Sequence, residues 1–213
     1  MAELGRVTWP PAPIATDRLV LRPPAARDRA AFVDLYTSPD VGAYTGGARS
    51  REEVERALPA TPRGRPGHLV VDLDGAMVGT VQLERRDVDY EVRPAAGHVD
   101  LGYLLLPEAC GRGYATEACR AVLGWFAGAF PGEAVVLTTQ TANAPSMRLA
   151  ARLGFVEVER FEAYDAEQWF GRWTPPAAMA DEALRLNDDA SVSRRTPDRP
   201  RSATSSPAEH EAS

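Results

Sequence analysis

The sequence predicts a mixed α/β domain, with helices inserted between the strands of a sheet. Three observations carry this. Arg18-Leu-Val-Leu-Arg-Pro23 alternates apolar and polar residues, and Ala134 to Thr139 is rich in β-branched residues; both patterns suit strands. Elsewhere the apolar residues fall at helical spacing: Ala30, Ala31, Phe32 and Leu35 in one segment, and Ala115, Ala118, Val122, Trp125 and Phe126 in another. Turn and cap residues separate these runs, notably Asp74-Gly75 and Gly154.

In chain order, the first strand is Arg18 to Pro23, broken by Pro23-Pro24. Ala26 to Tyr36 is a helix ended by Ser38-Pro39-Asp40. Ser50 with Glu53 three residues on is a capping box, opening a helix to about Leu58. Thr61 to Gly67, with two prolines and two glycines, is a loop. His68 to Asp72 and Met77 to Glu84 form a hairpin around Asp74-Gly75. A strand at about His98 to Leu106 precedes a helix from Gly113 to Gly128. Ala134 to Thr139 is the next strand, and Pro145 to Leu153 a helix closed by Gly154. Phe155 to Phe161 and Gln168 to Trp173 form a final antiparallel pair.

With 213 residues, 44% of them hydrophobic and 25% charged, the chain has the composition and length of one globular domain with a tail. We divide it into an N-terminal extension (1–15), a domain (16–174) and a tail (175–213). The tail is rich in Ala, Ser, Pro, Asp and Arg and has too little apolar surface to offset the entropy of ordering, beyond a helical turn or two at Asp181 to Asn187. Two cysteines, Cys110 and Cys119, are too few for a disulfide framework, and the three scattered histidines make a metal site improbable. Met1 to Pro13 does not read as a signal peptide, and no apolar run approaches the length of a bilayer span. The expected location is the cytoplasm, with no membrane partner. A net charge of −6 argues against a general nucleic-acid surface. The abundance of Arg, Ala and Pro suggests a GC-rich bacterial source.

The segment from His98 to Phe126 carries the chemistry. Gly111 and Gly113 leave the backbone bare before a helix, so N–H groups and the positive end of the helix dipole face any anion placed there. Arg112 adds charge and Thr116 a hydroxyl. Glycine-rich turns before helices are also common for structural reasons. Asn143-Ala-Pro-Ser146 opens the later helix, and both polar residues read first as caps.

Three segments together resemble the GCN5-related N-acetyltransferase (GNAT) family, and within it the RimJ/RimL-like branch that acetylates ribosomal-protein N-termini. They are Thr16-Asp-Arg-Leu-Val-Leu-Arg-Pro23 with Ser38-Pro-Asp-Val41; Asp100-Leu-Gly-Tyr-Leu-Leu-Leu-Pro107 with Gly111-Arg-Gly-Tyr-Ala-Thr-Glu-Ala118; and Asn143-x-x-Ser146-x-x-Leu149-x-x-x-Leu153-Gly154-Phe155. The resemblance spans roughly residues 16 to 173. It implies a three-layer α/β/α fold with a mostly antiparallel, splayed central sheet. It also implies acetyl-CoA as cosubstrate, a primary amine as acceptor (a protein N-terminus or a small molecule), no metal, and a monomer or homodimer. The pantetheine arm would pair with the backbone of Leu104, Leu105 and Leu106. The pyrophosphate would sit on the amides of Gly111, Arg112, Gly113, Tyr114, Ala115 and Thr116, and Asn143 and Ser146 would contact the cofactor. Cys110 departs from the family's usual Gln or Arg at the first loop position, and we expect it to be a small buried thiol.

Transfer needs a base for the ammonium and a proton for the leaving thiolate. No Tyr follows Asn143 at the family's usual distance, so Ser146 is the candidate donor. Asp100 and Glu84 rank nearly equal as the base, with an ordered-water relay as the alternative. The acceptor pocket is expected from the Val41–Gly47 loop, the Thr61–Gly67 loop and the last hairpin, with Tyr44, Tyr164 and Trp169 lining it. A different class of function, a non-catalytic acyl-CoA-binding or regulatory module, shares the cofactor features.

Overall fold

The computed structural model describes residue 4, residues 12–62 and residues 64–176. The expectations for most of the 1–15 extension and for the tail, including a turn at Asp181 to Asn187, lie outside the described residues. The elements run β1 (Ile14–Ala15), β2 (Val20–Arg22), α1 (Arg29–Thr37), α2 (Pro39–Gly42), α3 (Arg51–Ala57), β3 (His68–Leu73), β4 (Ala76–Arg85), β5 (Val99–Leu105), α4 (Tyr114–Ala129), β6 (Val135–Gln140), α5 (Ala144–Leu153), β7 (Val156–Ala163) and β8 (Ala166–Trp173).

The local chemistry explains the boundaries. Ser50 accepts from the Glu53 N–H while the Glu53 side chain accepts from the Ser50 N–H, so the capping box opens α3. Asp74 and Gly75 both have positive φ (53° and 88°), the geometry of a two-residue hairpin turn between β3 and β4. Gly154 closes α5 at φ 84°. Two short elements were not anticipated. β1 is only a two-residue bridge, below what alternation can reveal. Ser38 ends α1 as expected, but it also caps α2, with Pro39 in the first turn.

The eight strands form one sheet in the order β1-β2-β3-β4-β5-β6-β8-β7. Every pairing is antiparallel except β5 with β6. Alternation along the strands builds two cores. One face packs Leu21, Val71, Val81, Leu101 and Leu137 against Val122 and Phe126 of α4 and Leu149 and Leu153 of α5. On the other face Val70, Met77 and Leu106 pack against Phe32 and Leu35 of α1. Farther along this second face, the connection between β4 and β5 lays Val92 and Ala95 on Val136 and Phe170. The result is the expected three-layer α/β/α arrangement around a mostly antiparallel sheet. Among the described residues no helix is long and apolar enough to cross a membrane.

Candidate active site

The sheet opens at its one parallel pairing. β5 pairs with β4 along its whole length, from Val99↔Arg85 to Leu105↔Gly79. With β6 it pairs only at Val99↔Val135 and Asp100↔Val136, and beyond these the strands diverge. The register determines which backbone groups face the gap. Arg86 N–H donates to the His98 carbonyl at 2.9 Å, and Leu106 N–H donates to the Val78 carbonyl at 3.0 Å. Even-numbered residues from 98 to 106 therefore turn their backbone groups to β4, and odd-numbered ones turn theirs to β6. Past the last of these pairings, Tyr103 and Leu105 turn their N–H and C=O groups to the gap, where β6 no longer pairs with them.

This corrects two of the three expected backbone positions. The Leu104 carbonyl points at β4, 2.3 Å from where a Cβ on Gly79 would stand. Leu106 is buried, with its N–H on Val78 and its carbonyl accepting from Ala109. Only Leu105 of the three turns its backbone groups to the opening; Leu104 also lines the cavity, but its backbone is paired with β4. The reason is strand periodicity: three consecutive residues cannot all turn their backbone groups to one side.

A cavity of about 890 Å³ follows the gap. At one end it is lined by Gly111, Gly113, Tyr114, Ala115 and Thr116. Gly111 and Gly113 have φ of 75° and 83°, and nothing lies within 4 Å of a notional Cβ on Gly111. Gly113 is the N-cap of α4 and has no side chain to offer, so the first-turn amides have no side-chain cap. Bare amides at a helix start, opening on a cavity, fit a pyrophosphate. Arg112 is exposed and stands outside the cavity wall, its carbonyl accepting from Arg18 at 3.1 Å.

Cys110 also lines the cavity but is exposed, which corrects the expectation of a buried thiol. The residues before it form a one-turn helix, Pro107–Ala109, that turns Ala109 inward and leaves Cys110 outward. Partial desolvation and the nearby carboxylates of Asp40 and Glu108 hold its thiol above the usual range, so it is not an activated nucleophile.

Asn143 caps α5, its Oδ1 accepting from the Ser146 N–H at 3.2 Å. The ordinary capping role therefore holds, and its Nδ2 is the group it can offer a ligand. Ser146 is buried and lines the cavity. Tyr103 of β5 lines the same cavity, and the Ser146 side chain lies near enough to its hydroxyl to influence its ionisation. Burial pushes the Tyr103 hydroxyl above its ordinary range, while the neighbouring Ser146 side chain pulls it down. Counting along the chain from Asn143 missed Tyr103 because it comes from β5; only the register brings it to α5.

On the opposite face, Glu84 and Asp100 are directly paired across β4 and β5. Arg86, two residues past Glu84 and on the same face, joins them. Its Nε and NH2 donate to Asp100 Oδ2 at 3.0 and 2.7 Å, and its NH1 to Glu84 Oε2 at 2.9 Å. The guanidinium sits 4.8 Å from the Tyr90 ring centroid. Burial pushes the Asp100 carboxyl up to about 6, although Arg86 pulls it down. Asp100, Arg86 and Tyr90 line the cavity, whereas Glu84 does not. Glu84 is drawn aside by Arg86 and, at 3.8 Å, by Arg65. The two carboxylates that ranked nearly equal in the sequence are thus separated by position.

Around this end the wall is formed by Asp40, Val41, Tyr44, Thr45, Gly46, Tyr164 and Gln168. None of the described residues of the Thr61–Gly67 loop lines the cavity, and Trp169 is buried, its indole N–H donating to Glu157. Thr138 on β6 also lines the cavity, and among the described residues its hydroxyl is the one fully buried side-chain polar atom without a hydrogen-bond partner. An orphaned hydroxyl beside the opening suits a polar ligand lying between the strands. Among the described residues no cluster of His, Cys, Asp and Glu could hold a metal ion.

The match with known proteins agrees with this geometry. The family model described as "Acetyltransferase (GNAT) domain" matches residues 18–156, well over half of the chain. A search of the curated proteins finds no match. Among solved structures, the fold is similar to that of a GNAT-family acetyltransferase from Bacillus anthracis (19% identity, 76% of this chain and 98% of that one, TM-score 0.62). It is also similar to an aminoglycoside acetyltransferase in complex with coenzyme A (18% identity, 80% and 99%, TM-score 0.57). A third similar structure is the Salmonella typhimurium acetyl transferase described as modifying the N-terminal serine of ribosomal protein L7/L12 (14% identity, 78% and 100%, TM-score 0.59). The opened parallel pairing, the glycine cradle and the family match lead to one conclusion: this chain belongs to the GNAT acetyltransferase family, whose members use acetyl-CoA.

Proposed function

We propose that this protein transfers an acetyl group from acetyl-CoA directly to a primary amine, with Asp100 as the base and Ser146 as the proton donor to the leaving thiolate. The observation that carries this reading is the arrangement at the opening between β5 and β6. Asp100 lies on the α1 side of the sheet, the Ser146 and Tyr103 pair on the α4 and α5 side, and the gap joins them.

The chemistry follows from that placement. Acetyl-CoA supplies the thioester, held by the α4 amides and by the open edge of β5, which pairs with an extended amide-bearing chain as a sheet edge does. Arg86 occupies Oδ2 of Asp100 with two bonds, leaving Oδ1 as the proton acceptor. A carboxylate near pH 6 is mostly ionised at neutral pH yet basic enough to take a proton from an ammonium. The freed amine attacks the thioester carbonyl, and the outward N–H groups of Tyr103 and Leu105 are positioned to donate to the developing oxyanion. As the carbon–sulfur bond breaks, Ser146 protonates the thiolate and Tyr103 backs the serine hydroxyl.

The opening motif and Ser146 support a RimJ/RimL-like position within the family, with a protein N-terminus as acceptor. The wall of Asp40, Tyr44 and Tyr164 is equally compatible with a small cationic amine. Following thiol release with N-terminal Ser and Ala peptides, amino acids, polyamines and aminoglycosides tests the reading. Acetylation of one class identifies the acceptor. Tight CoA binding with no turnover across all of them points instead to a non-catalytic acyl-CoA-binding module.

A further inference from the structure

Two segments far apart in the sequence, Thr16–Arg18 and Arg112–Glu117, meet at the start of α4. The Thr16 hydroxyl donates to Glu117 Oε1 at 2.6 Å, and the Arg18 backbone N–H donates to the same oxygen at 3.0 Å. The Arg18 Nε lies 2.8 Å and its NH2 2.6 Å from Glu117 Oε2. Arg18 NH1 donates to the Arg112 carbonyl at 3.1 Å, and the guanidinium lies 4.6 Å from the Tyr114 ring centroid. A local turn aims these groups: Thr16 N–H donates to the Leu19 carbonyl and Leu19 N–H to the Thr16 hydroxyl, both at 2.9 Å.

One side chain therefore spans the glycine loop, from the residue before the N-cap (112) through the first helical residue (114) to the end of the first turn (117). The loop needs such a span. Gly111 and Gly113 sit in left-handed conformations, where glycine has the greatest backbone freedom. Glu117 raises a second issue. A carboxylate in the first turn favours the helix dipole but repels another anion held on the same amides. Burial pushes the Glu117 carboxyl up, yet the bonds from Thr16 and Arg18 hold it below the usual range, so it is charged at neutral pH.

We propose that Arg18, seated by Thr16, is a positioning residue for the acyl-CoA diphosphate: it fixes the 112–117 loop with its amides toward the cavity and cancels the charge of Glu117. This rests on the acyl-CoA reading above. Arg18 stands outside the cavity wall and acts through the loop.

The test uses the full chain, CoA titrated by calorimetry, and acetyl transfer from both acetyl-CoA and S-acetylpantetheine, which has no diphosphate. Arg18→Met raises the Kd for CoA and the KM for acetyl-CoA about tenfold, the loss expected from one strong charged interaction. It changes kcat by less than about twofold and leaves kcat/KM for S-acetylpantetheine unchanged, as expected for lost binding energy that is equal in ground and transition states. Adding Glu117→Gln to Arg18→Met recovers part of the CoA affinity, because it removes the uncompensated carboxylate. Arg18→Lys, which keeps the charge without the planar fork, falls between wild type and Arg18→Met and replaces it in the comparison if Arg18→Met does not fold. Wild-type CoA affinity in Arg18→Met, no recovery in the double variant, or equal losses with both acyl donors overturns the proposal. A wild-type chain that binds no CoA overturns the acyl-CoA reading itself.

Discussion

Asp100→Asn tests the proposed base and has a magnitude that follows from the burial of the site. The α-amino group of a peptide titrates near 8, about four units above an ordinary aspartate, so proton transfer between them is uphill by roughly 6 kcal/mol. Burial lifts Asp100 from 3.8 to about 6, which closes the gap to about two units, or roughly 3 kcal/mol. That difference corresponds to about 10²-fold in rate, at the lower end of what a positioned base contributes. Asparagine keeps the shape and accepts no proton. Thiol release from acetyl-CoA, measured from pH 5 to 9 with a peptide acceptor, is then expected to fall about 10²-fold at pH 7. CoA affinity stays within about twofold, since binding that is uniform between ground and transition states is not touched. The sign of the pH dependence is fixed: the carboxylate must be ionised, so wild-type kcat/KM declines as pH drops through about 6. The variant lacks that limb. Wild-type turnover in Asp100→Asn, with the acid limb unchanged, refutes the assignment.

Other expectations concern the neighbouring groups. Arg86→Met removes the cation that favours the Asp100 carboxylate, so the acid limb moves above 6, by about one unit; a limb that stays or moves down contradicts the role given to Arg86. Ser146→Ala lowers kcat about 10- to 100-fold, Tyr103→Phe lowers it less, and the double variant loses less than the product of the two, because both act on one proton; independent losses in a double-mutant cycle exclude the coupled pair. Thr138→Val deletes a buried hydroxyl that has no partner, so thermal denaturation shows a stability equal to wild type or about 1 kcal/mol higher, while kcat/KM falls; a stability loss above about 2 kcal/mol would mean the hydroxyl is satisfied within the protein. Gly113→Ala places a Cβ at φ 83°, which costs roughly 1–2 kcal/mol of stability and weakens CoA binding as the amides shift; unchanged CoA affinity would separate the cradle from the cofactor.

Much of the fold was legible because its signals are local. The Ser50 and Glu53 capping box, the Asp74-Gly75 turn and the left-handed Gly154 each depend on residues within a few positions, and each stands where the pattern put it. The site was less legible because its decisive facts are relations between strands. Leu104, Leu105 and Leu106 look equivalent as a run, and only the β4 register separates the one whose backbone groups turn to the opening from the two whose backbone groups do not. Arg86 follows Arg85 at a strand end and reads as a solvated charge until the Glu84↔Asp100 pairing brings both acids within its reach. Tyr103 and Thr138 resemble ordinary strand residues for the same reason. Cys110 was misjudged because thiols are usually buried, while the one-turn helix before it points this one outward.

The central claim is direct acetyl transfer to an amine across the opening between β5 and β6. A single-turnover experiment tests it: the full chain is mixed with acetyl-CoA, its intact mass is read before any acceptor is added, and the acceptor identified by the amine panel is then supplied. The account predicts an unmodified chain in the first reading, then acetylated amine and CoA thiol in equal amounts. A chain carrying one added acetyl group at Cys110 that discharges to the amine, or no acetylated amine at all, would contradict it.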